Sequence, residues 1–595
     1  MDISPHIDFI LDALRRIHAS DRWFSSGRMA DTCRTVEEIM AGLGMSGIET
    51  RKYPADGRTD CGGWLMPLSW DAEEATLEIV SPETAEPLLC RYTESPCSLM
   101  LNSRPADITA PVVFAEDAAN ADLHGKFVFA SRTFPGLTIA LEWLKRGAAG
   151  IVSSVLCSND LGKPGFEFLR DSRQWCNYTL PHWPVDGNPV GFSLTPRQGE
   201  MLEALLKNHS DLLLRARVRS RLYSGELPLV TGRLPGETDE EIILTGHLFE
   251  QGANDNASGI ALSLGILRAM IPEKRRRGIR VFFTYEARSL QAYLRHAPET
   301  ERMVAGLNLD MVGASVNNVV TLGTNRPVFP HYAVPLLKDI FRRHPDYSIK
   351  ETDFVTMDNS FGEPLTGVPL PYLLLSGDPN YHKSGDVPER IDPAVLRTVG
   401  EIALEYVGTL VNAGYAEARK LAFMTYREEG ERLRNLSDGR DFALELAGEA
   451  LASVRRLLPA GDKGTLREAA LNRFTGRLHR RLIRRFPEEP RSVAEEPGTE
   501  KLRGMVPRKL FRGFFSFEKY LCRKEEFPAV CRLFHAWNAD PWVNYALMWS
   551  DGQRDAAEIY RRLKAGANFK GTPEQLSELL EFMAGEGYVV LKKNE

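Results

Sequence analysis

The spacing of apolar and polar residues changes character at about residues 62, 226 and 416. In the first stretch, FILDALRRI (Phe9 to Ile17) and TCRTVEEIMAGLGM (Thr32 to Met45) carry apolar side chains at helical intervals. IETRKY (Ile48 to Tyr53) follows as a strand, and YPADGRTDCGG breaks the pattern with proline and glycines. From 62 to 225 the runs are short and rich in β-branched and aromatic residues. ATLEIV, APVVFA and KFVFASR predict strands. LTIALEWLKRGAAGIVSS predicts a helix ending near Gly147 and then a strand, and GFSLTPRQGEMLEALLK predicts a helix opened by Thr195 and Pro196. From 226 to 415, strands alternate with helices: EIILTG, GIRVFFTY, VAGLNLDMVG and PLPYLLLSG carry apolar residues at successive positions rather than at every second one. Strands with no polar face need cover on both sides, so the pattern predicts an α/β fold with a mostly parallel sheet between helices. The last stretch is helical and Arg-rich, ending in helix, helix and strand, the outline of a winged helix. RSVAEEPGTEKLRG (Arg491 to Gly504) is polar enough for a linker.

Composition narrows the class only a little. A chain of 595 residues predicts roughly three or four domains. A formal net charge of −6 gives bulk electrostatics no pull toward nucleic acid or membrane. RLHRRLIRRF (Arg477 to Phe486) reads as an amphipathic helix through Leu478, Leu482 and Ile483, with a solvated arginine face. The eight cysteines include no CxxC pair, which predicts free thiols and a reducing, cytoplasmic setting. The opening MDISPHIDFILDALRRI reads as an amphipathic helix, not a signal peptide, and no stretch approaches the roughly 18 to 20 apolar residues of a membrane span.

Candidate chemistry sits where the apolar strands end. In parallel sheets, functional groups gather at the carboxyl ends of strands. His247, Glu286, Asp310 and His382 all follow such strands, and GHLFEQGANDNASG (Gly246 to Gly259) adds Glu250 and Asp255 on one turn. A hydrolytic zinc site needs imidazole and carboxylate ligands from separate rigid elements, and a two-zinc site needs a bridging carboxylate as well.

GANDNASG, FFTYEA, NLDMVG and YHKSGDVPERID, in that order, resemble the motifs of the co-catalytic zinc aminopeptidases, whose relatives include bacterial leucyl aminopeptidases and glutamate carboxypeptidase II. Residues 62–225, with LHGKFVFASR and LEWLKRGAAGIVSS, resemble the protease-associated domain inserted in such enzymes. The resemblance implies a zinc exopeptidase fold. Residues 1–61 would be its N-terminal part, 62–225 the insert and 226–415 the catalytic core. Residues 416–500 would be a helical connector and 501–595 a winged-helix-like domain. It implies that His247 and Asp310 hold one zinc, Asp255 bridges, and His382 holds the other. Glu286 would be the general base. Tyr381, next to His382, is taken as a helper for the oxyanion.

The chain departs from the family pattern at several positions. Typical members have a second glutamate after the base and an aspartate two residues after the first histidine. Here those positions are Ala287 and Phe249. Glu250 is therefore expected to supply the missing carboxylate, completing two zinc sites; without it, one ion is expected. Asn359 stands where a histidine is usual, Arg288 and Ser289 replace small residues, and Asp386 matches the acid after the Tyr-His pair. A cis peptide between Asp255 and Asn256 is also expected. The resulting expectation is an aminopeptidase acting on a peptide or peptide-like amide. The alternative is a family member that has lost catalysis and binds a peptide or protein partner, with the C-terminal segment open as a contact between copies of the chain.

Overall fold

A computed structural model describes residues 2–20, 27–157, 160–175, 180–183, 185, 187–296, 299–353, 357–487, 496–521 and 542–593. Cys176, Cys522 and Cys531, and the start of the polar stretch at 491–495, lie outside the described residues. Cys33, Cys61, Cys90, Cys97 and Cys157 are free thiols.

The central feature is an eight-stranded sheet. Its four middle strands, Gly278–Thr284, Glu241–His247, Met303–Asp310 and Tyr372–Ser376, are parallel. They are nearly all buried, because helices cover both faces. Antiparallel strands flank this core: Gly225–Leu234 on one side and Val319–Gly323 on the other. Strand Ser46–Ala55, from the N-terminal stretch, pairs with Gly225–Leu234 and forms one edge.

Helix Ala257–Met270 is apolar around almost its whole circumference and all of it except Arg268 is buried. Such a helix needs partners on every side. It has them in the sheet and in helices Ile7–Ala19 and Pro393–Val411. Helix Glu286–His296 packs against the turn Met357–Gly362 and the edge of the sheet.

Residues 69–81, 88–91, 106–114, 127–130, 150–153, 190–193 and 213–223 form a second, seven-stranded sheet. The helix predicted after Thr195 runs Pro196–Asn208, with a full capping box between Thr195 and Gln198. Helices Tyr415–Arg434, Arg440–Ser453 and Leu466–Arg485 then pack on one another. The arginine-rich run is the last turns of the third helix, with Leu478 and Leu482 buried. At the C-terminus, strands Met505–Lys509 and Val589–Lys593 pair antiparallel, and helices Trp542–Trp549, Ala556–Gly566 and Pro573–Gly585 share their apolar cluster. No described helix is long and apolar enough to cross a membrane.

Candidate metal centre

The parallel strands deliver the site directly. His247 and Asp310 are the last residues of neighbouring strands, so register alone places them side by side. Asp255 immediately precedes helix Ala257–Met270, whose N-cap is Asn256, accepting from Gly259 N at 3.0 Å. The Asp255–Asn256 peptide is cis. His382 lies in the loop after Tyr372–Ser376, and Glu286 opens helix Glu286–His296.

Two groups of ligand atoms converge, each within 4.8 Å: His247, Asp255 and Asp310, and Glu250, Asp255 and His382. All five side chains are buried. His247 Nε2 lies 3.5 Å from Asp255 Oδ1 and 3.3 Å from Asp310 Oδ1. His382 Nε2 lies 2.9 Å from Glu250 Oε2 and 3.1 Å from Asp255 Oδ2. Asp255 thus presents one oxygen to each group.

Asp255 Oδ2 and Asp310 Oδ1 are buried and, among the described residues, have no hydrogen-bond partner, although an imidazole Nε2 lies within 3.3 Å of each. Buried carboxylate oxygens cost free energy unless a cation or a donor faces them. Burial and the Glu250 charge push the Asp255 carboxyl well above its usual range. Burial alone would lower His247, but Asp310 and Asp255 overcome it and hold the imidazole well above its ordinary value. Three carboxylates and two imidazoles that strain one another in this way fit divalent cation binding.

The supporting groups orient these ligands. His247 Nδ1 is hydrogen-bonded to the Phe249 carbonyl. A carbonyl only accepts, so Nδ1 carries a proton and Nε2 is the nitrogen turned to the carboxylates, which a metal ion would take in exchange for its proton. The backbone of Phe249 does what an aspartate side chain does in the typical motif, and its ring stacks on Tyr285 at 5.0 Å. Tyr372 Oη donates to Asp310 Oδ2. Asp386 accepts from Asn254 N at 2.7 Å and Asp255 N at 3.0 Å, and Asn254 Nδ2 donates to Asp378 at 2.8 Å. Gly252 allows this approach, since a Cβ there would sit 1.9 Å from Asp386 Oδ2.

The seven-stranded sheet's domain reaches the same loop. Trp175 N donates to the His382 carbonyl at 3.0 Å, its indole Nε1 to the Lys383 carbonyl at 3.2 Å, and its ring lies 5.4 Å from the imidazole.

Glu286 is partly exposed, and its charge adds to the desolvation that raises half-buried Asp358 to about 8. Tyr381 is half-exposed and stacks on the His382 ring at 3.6 Å. Among described non-glycine residues with positive φ, all but three are asparagines; the exceptions are Glu286, Met311 and His382. Strained backbone of this kind persists where surrounding structure over-determines it, and here it gathers at one site. Tyr372 and Trp175 were not legible as site residues. Tyr372 reads as one more aromatic in an apolar strand, and Trp175 belongs to a domain whose docking the pattern does not encode.

Residues 230–407 match Peptidase family M28. Among solved structures, the Peptidase M28 precursor from Shewanella amazonensis SB2B is 15% identical, with 68% of this chain and 93% of that one covered and a TM-score of 0.52. A structure from Clostridium acetobutylicum assigned as a peptidase is 18% identical over 69% and 82%, with a TM-score of 0.50. The zinc aminopeptidase of Bacillus subtilis is 16% identical over 67% and 94%, with a TM-score of 0.49. No curated protein matches. The first two show that the fold is shared.

Proposed function

We propose that this chain, which carries a zinc metallopeptidase domain matching Peptidase family M28 over residues 230–407, is an exopeptidase acting as an aminopeptidase on peptides or peptide-like amides. The observation that carries the reading is the pair of buried ligand groups sharing Asp255.

In this reading His247 and Asp310 would hold one zinc, Glu250 and His382 the other, and Asp255 would serve both. Glu250 takes the part that Ala287 cannot, and its position 2.9 Å from His382 Nε2 supports that assignment. Zinc in such a site supplies Lewis acidity, polarising the scissile carbonyl and bringing the pKa of water towards about 7. Glu286, which is partly exposed, would take the water proton and deliver it to the leaving amine. Tyr381 would donate to the developing oxyanion; its stacking beside His382 and its exposure support that role. Phe249, Tyr285 and Trp175 are buried, and Trp175 and Phe249 stand next to His382 and His247 respectively.

Zinc measured by elemental analysis, alongside hydrolysis of an aminoacyl 4-nitroanilide panel, tests the reading. About two zinc per chain with turnover supports it. Two zinc without turnover on free-amine or blocked substrates points to the binding protein instead. No bound zinc would overturn the peptidase reading and leave the binding protein.

A further inference from the structure

Glu518 is fully buried although it belongs to the C-terminal segment, far along the chain from the catalytic sheet. Its Oε1 meets Arg288 Nη2 at 2.7 Å and lies 3.0 Å from His182 Nε2; Oε2 accepts from Leu65 N at 2.9 Å. Burial lowers the pKa of His182, so Arg288 is the counter-charge. Three separate stretches of chain therefore end on one carboxylate.

Arg288 stands two residues after Glu286, in the first turn of the helix that Glu286 opens. That turn is unusual. Glu286 has φ +42°, and Ser289 Oγ accepts from Tyr285 N at 2.6 Å, closing the backbone beneath it. The guanidinium lies 5.7 Å from the ring centre of Trp64, and Trp64 Nε1 donates to the Phe514 carbonyl at 3.0 Å. Ser516 N donates to the Gly62 carbonyl at 2.9 Å, and Gly63, at φ +84°, would place a Cβ only 1.8 Å from Ser516 O. The neighbouring Gly513 would similarly meet Gln291, one turn further along the same helix, at 2.1 Å. The C-terminal segment is thus fitted against the helix without slack.

Building on the assignment of Glu286 as the base, we propose that Glu518 is a positioning residue. Through Arg288 it fixes the first turn of helix Glu286–His296 and so the direction in which the Glu286 carboxylate faces the metal ligands. Glu518 touches no ligand of the metal centre. A base displaced by a fraction of an ångström loses proton-transfer efficiency while substrate binding through other groups persists.

The test uses the full chain with zinc bound. Glu518→Gln keeps the shape and the Leu65 contact but removes the charge that holds Arg288. It is expected to lower kcat on an aminoacyl 4-nitroanilide about tenfold or more, with KM within about twofold and zinc content unchanged. Hydrogen exchange across residues 285–292 should rise, while that across 247–259 should not. Arg288→Met/Glu518→Gln removes the uncompensated buried cation and is expected to recover the melting temperature, with kcat still low. A double variant that regains both the melting temperature and wild-type kcat would overturn the proposal, because the pair would then serve stability alone. Should Glu518→Gln fail to fold, the double variant carries the comparison. A wild-type chain that binds zinc but cleaves nothing defeats the peptidase reading instead. In that case unchanged exchange over 285–292 in the double variant would separately refute the tether.

Discussion

Glu250→Gln is the sharpest perturbation of the metal centre, because it is nearly isosteric and its effects on the metal-free and metal-loaded protein have opposite signs. Without metal, Glu250 is one of the charges that press on Asp255, and its Oε2 lies 2.9 Å from His382. Removing that charge relieves like-charge repulsion, so the metal-free variant should melt at or above wild type. With zinc, the same change removes one of three protein donors from the Glu250, Asp255 and His382 group. Two unit charges about 4 Å apart interact by about 4 kcal/mol at an effective dielectric of about 20, and a zinc ligand is closer and faces a divalent ion. The amide oxygen and local relaxation recover part, so a net loss of about 3 kcal/mol, or roughly two decades in affinity, is reasonable. For a body of 150–250 residues each kcal/mol moves the melting temperature by about 2–4 °C. The zinc-induced shift should therefore shrink by roughly 6–12 °C. Thermal melts with chelator and with buffered zinc, alongside elemental analysis, read both signs. If the variant keeps two zinc and the full zinc-induced shift, Glu250 is not a ligand and the second site must be built otherwise.

Further outcomes follow from the neighbouring groups. Glu286→Gln should abolish amide hydrolysis, by about 10²–10⁴-fold in kcat, while zinc stoichiometry holds at the wild-type value. Tyr372→Phe removes the hydroxyl on Asp310, and Trp175→Ala removes the indole bond to the Lys383 carbonyl and the ring beside the His382 imidazole. Each should weaken zinc about 10–100-fold in a competitive chelator titration, the usual effect of losing a group that orients a ligand. Burial alone would raise Glu518, but Arg288 and His182 overcome it and hold the carboxyl at about 2, against an ordinary 4.5. Its stabilising contribution is whole above about pH 4.5 and is lost as pH falls towards about 2. Fluorescence of Trp64, beneath Arg288, should follow that loss in wild type and show no such step in Glu518→Gln.

The fold was legible where packing is governed by simple periodicity. EIILTG, GIRVFFTY and VAGLNLDMVG have no polar face, and each became a buried parallel strand. Because parallel strands release their ends on one side, the proximity of His247 and Asp310 could be read from the text as well. The orienting partner of His247 could not, because a backbone carbonyl leaves no mark on residue type: Phe249 appears as a lost aspartate until its C=O is seen at Nδ1. The braces at Trp175 and Glu518 come from docking between stretches more than a hundred residues away in sequence, and local patterning does not encode such contacts. The same limit applies to Tyr372, whose hydroxyl matters only because the adjacent strand ends in Asp310.

The antiparallel pairing of Ser46–Ala55 with Gly225–Leu234 ends at Ala55 opposite Gly225. Just beyond, Ser69 stands opposite Tyr223 in the other sheet. The intervening domain therefore leaves and re-enters the catalytic sheet at adjacent points, on a double-stranded stalk. As an open loop of about 170 residues it would burden that pairing with roughly 4–5 kcal/mol of closure entropy. Once its own strands 69–81 and 213–223 have zipped together, the span shrinks to a short connection and most of that cost disappears. Topology thus couples the two sheets: closing the inserted domain removes most of the entropic cost of recruiting the edge strand of the catalytic sheet, and the Trp175 contact to the His382 loop spans both.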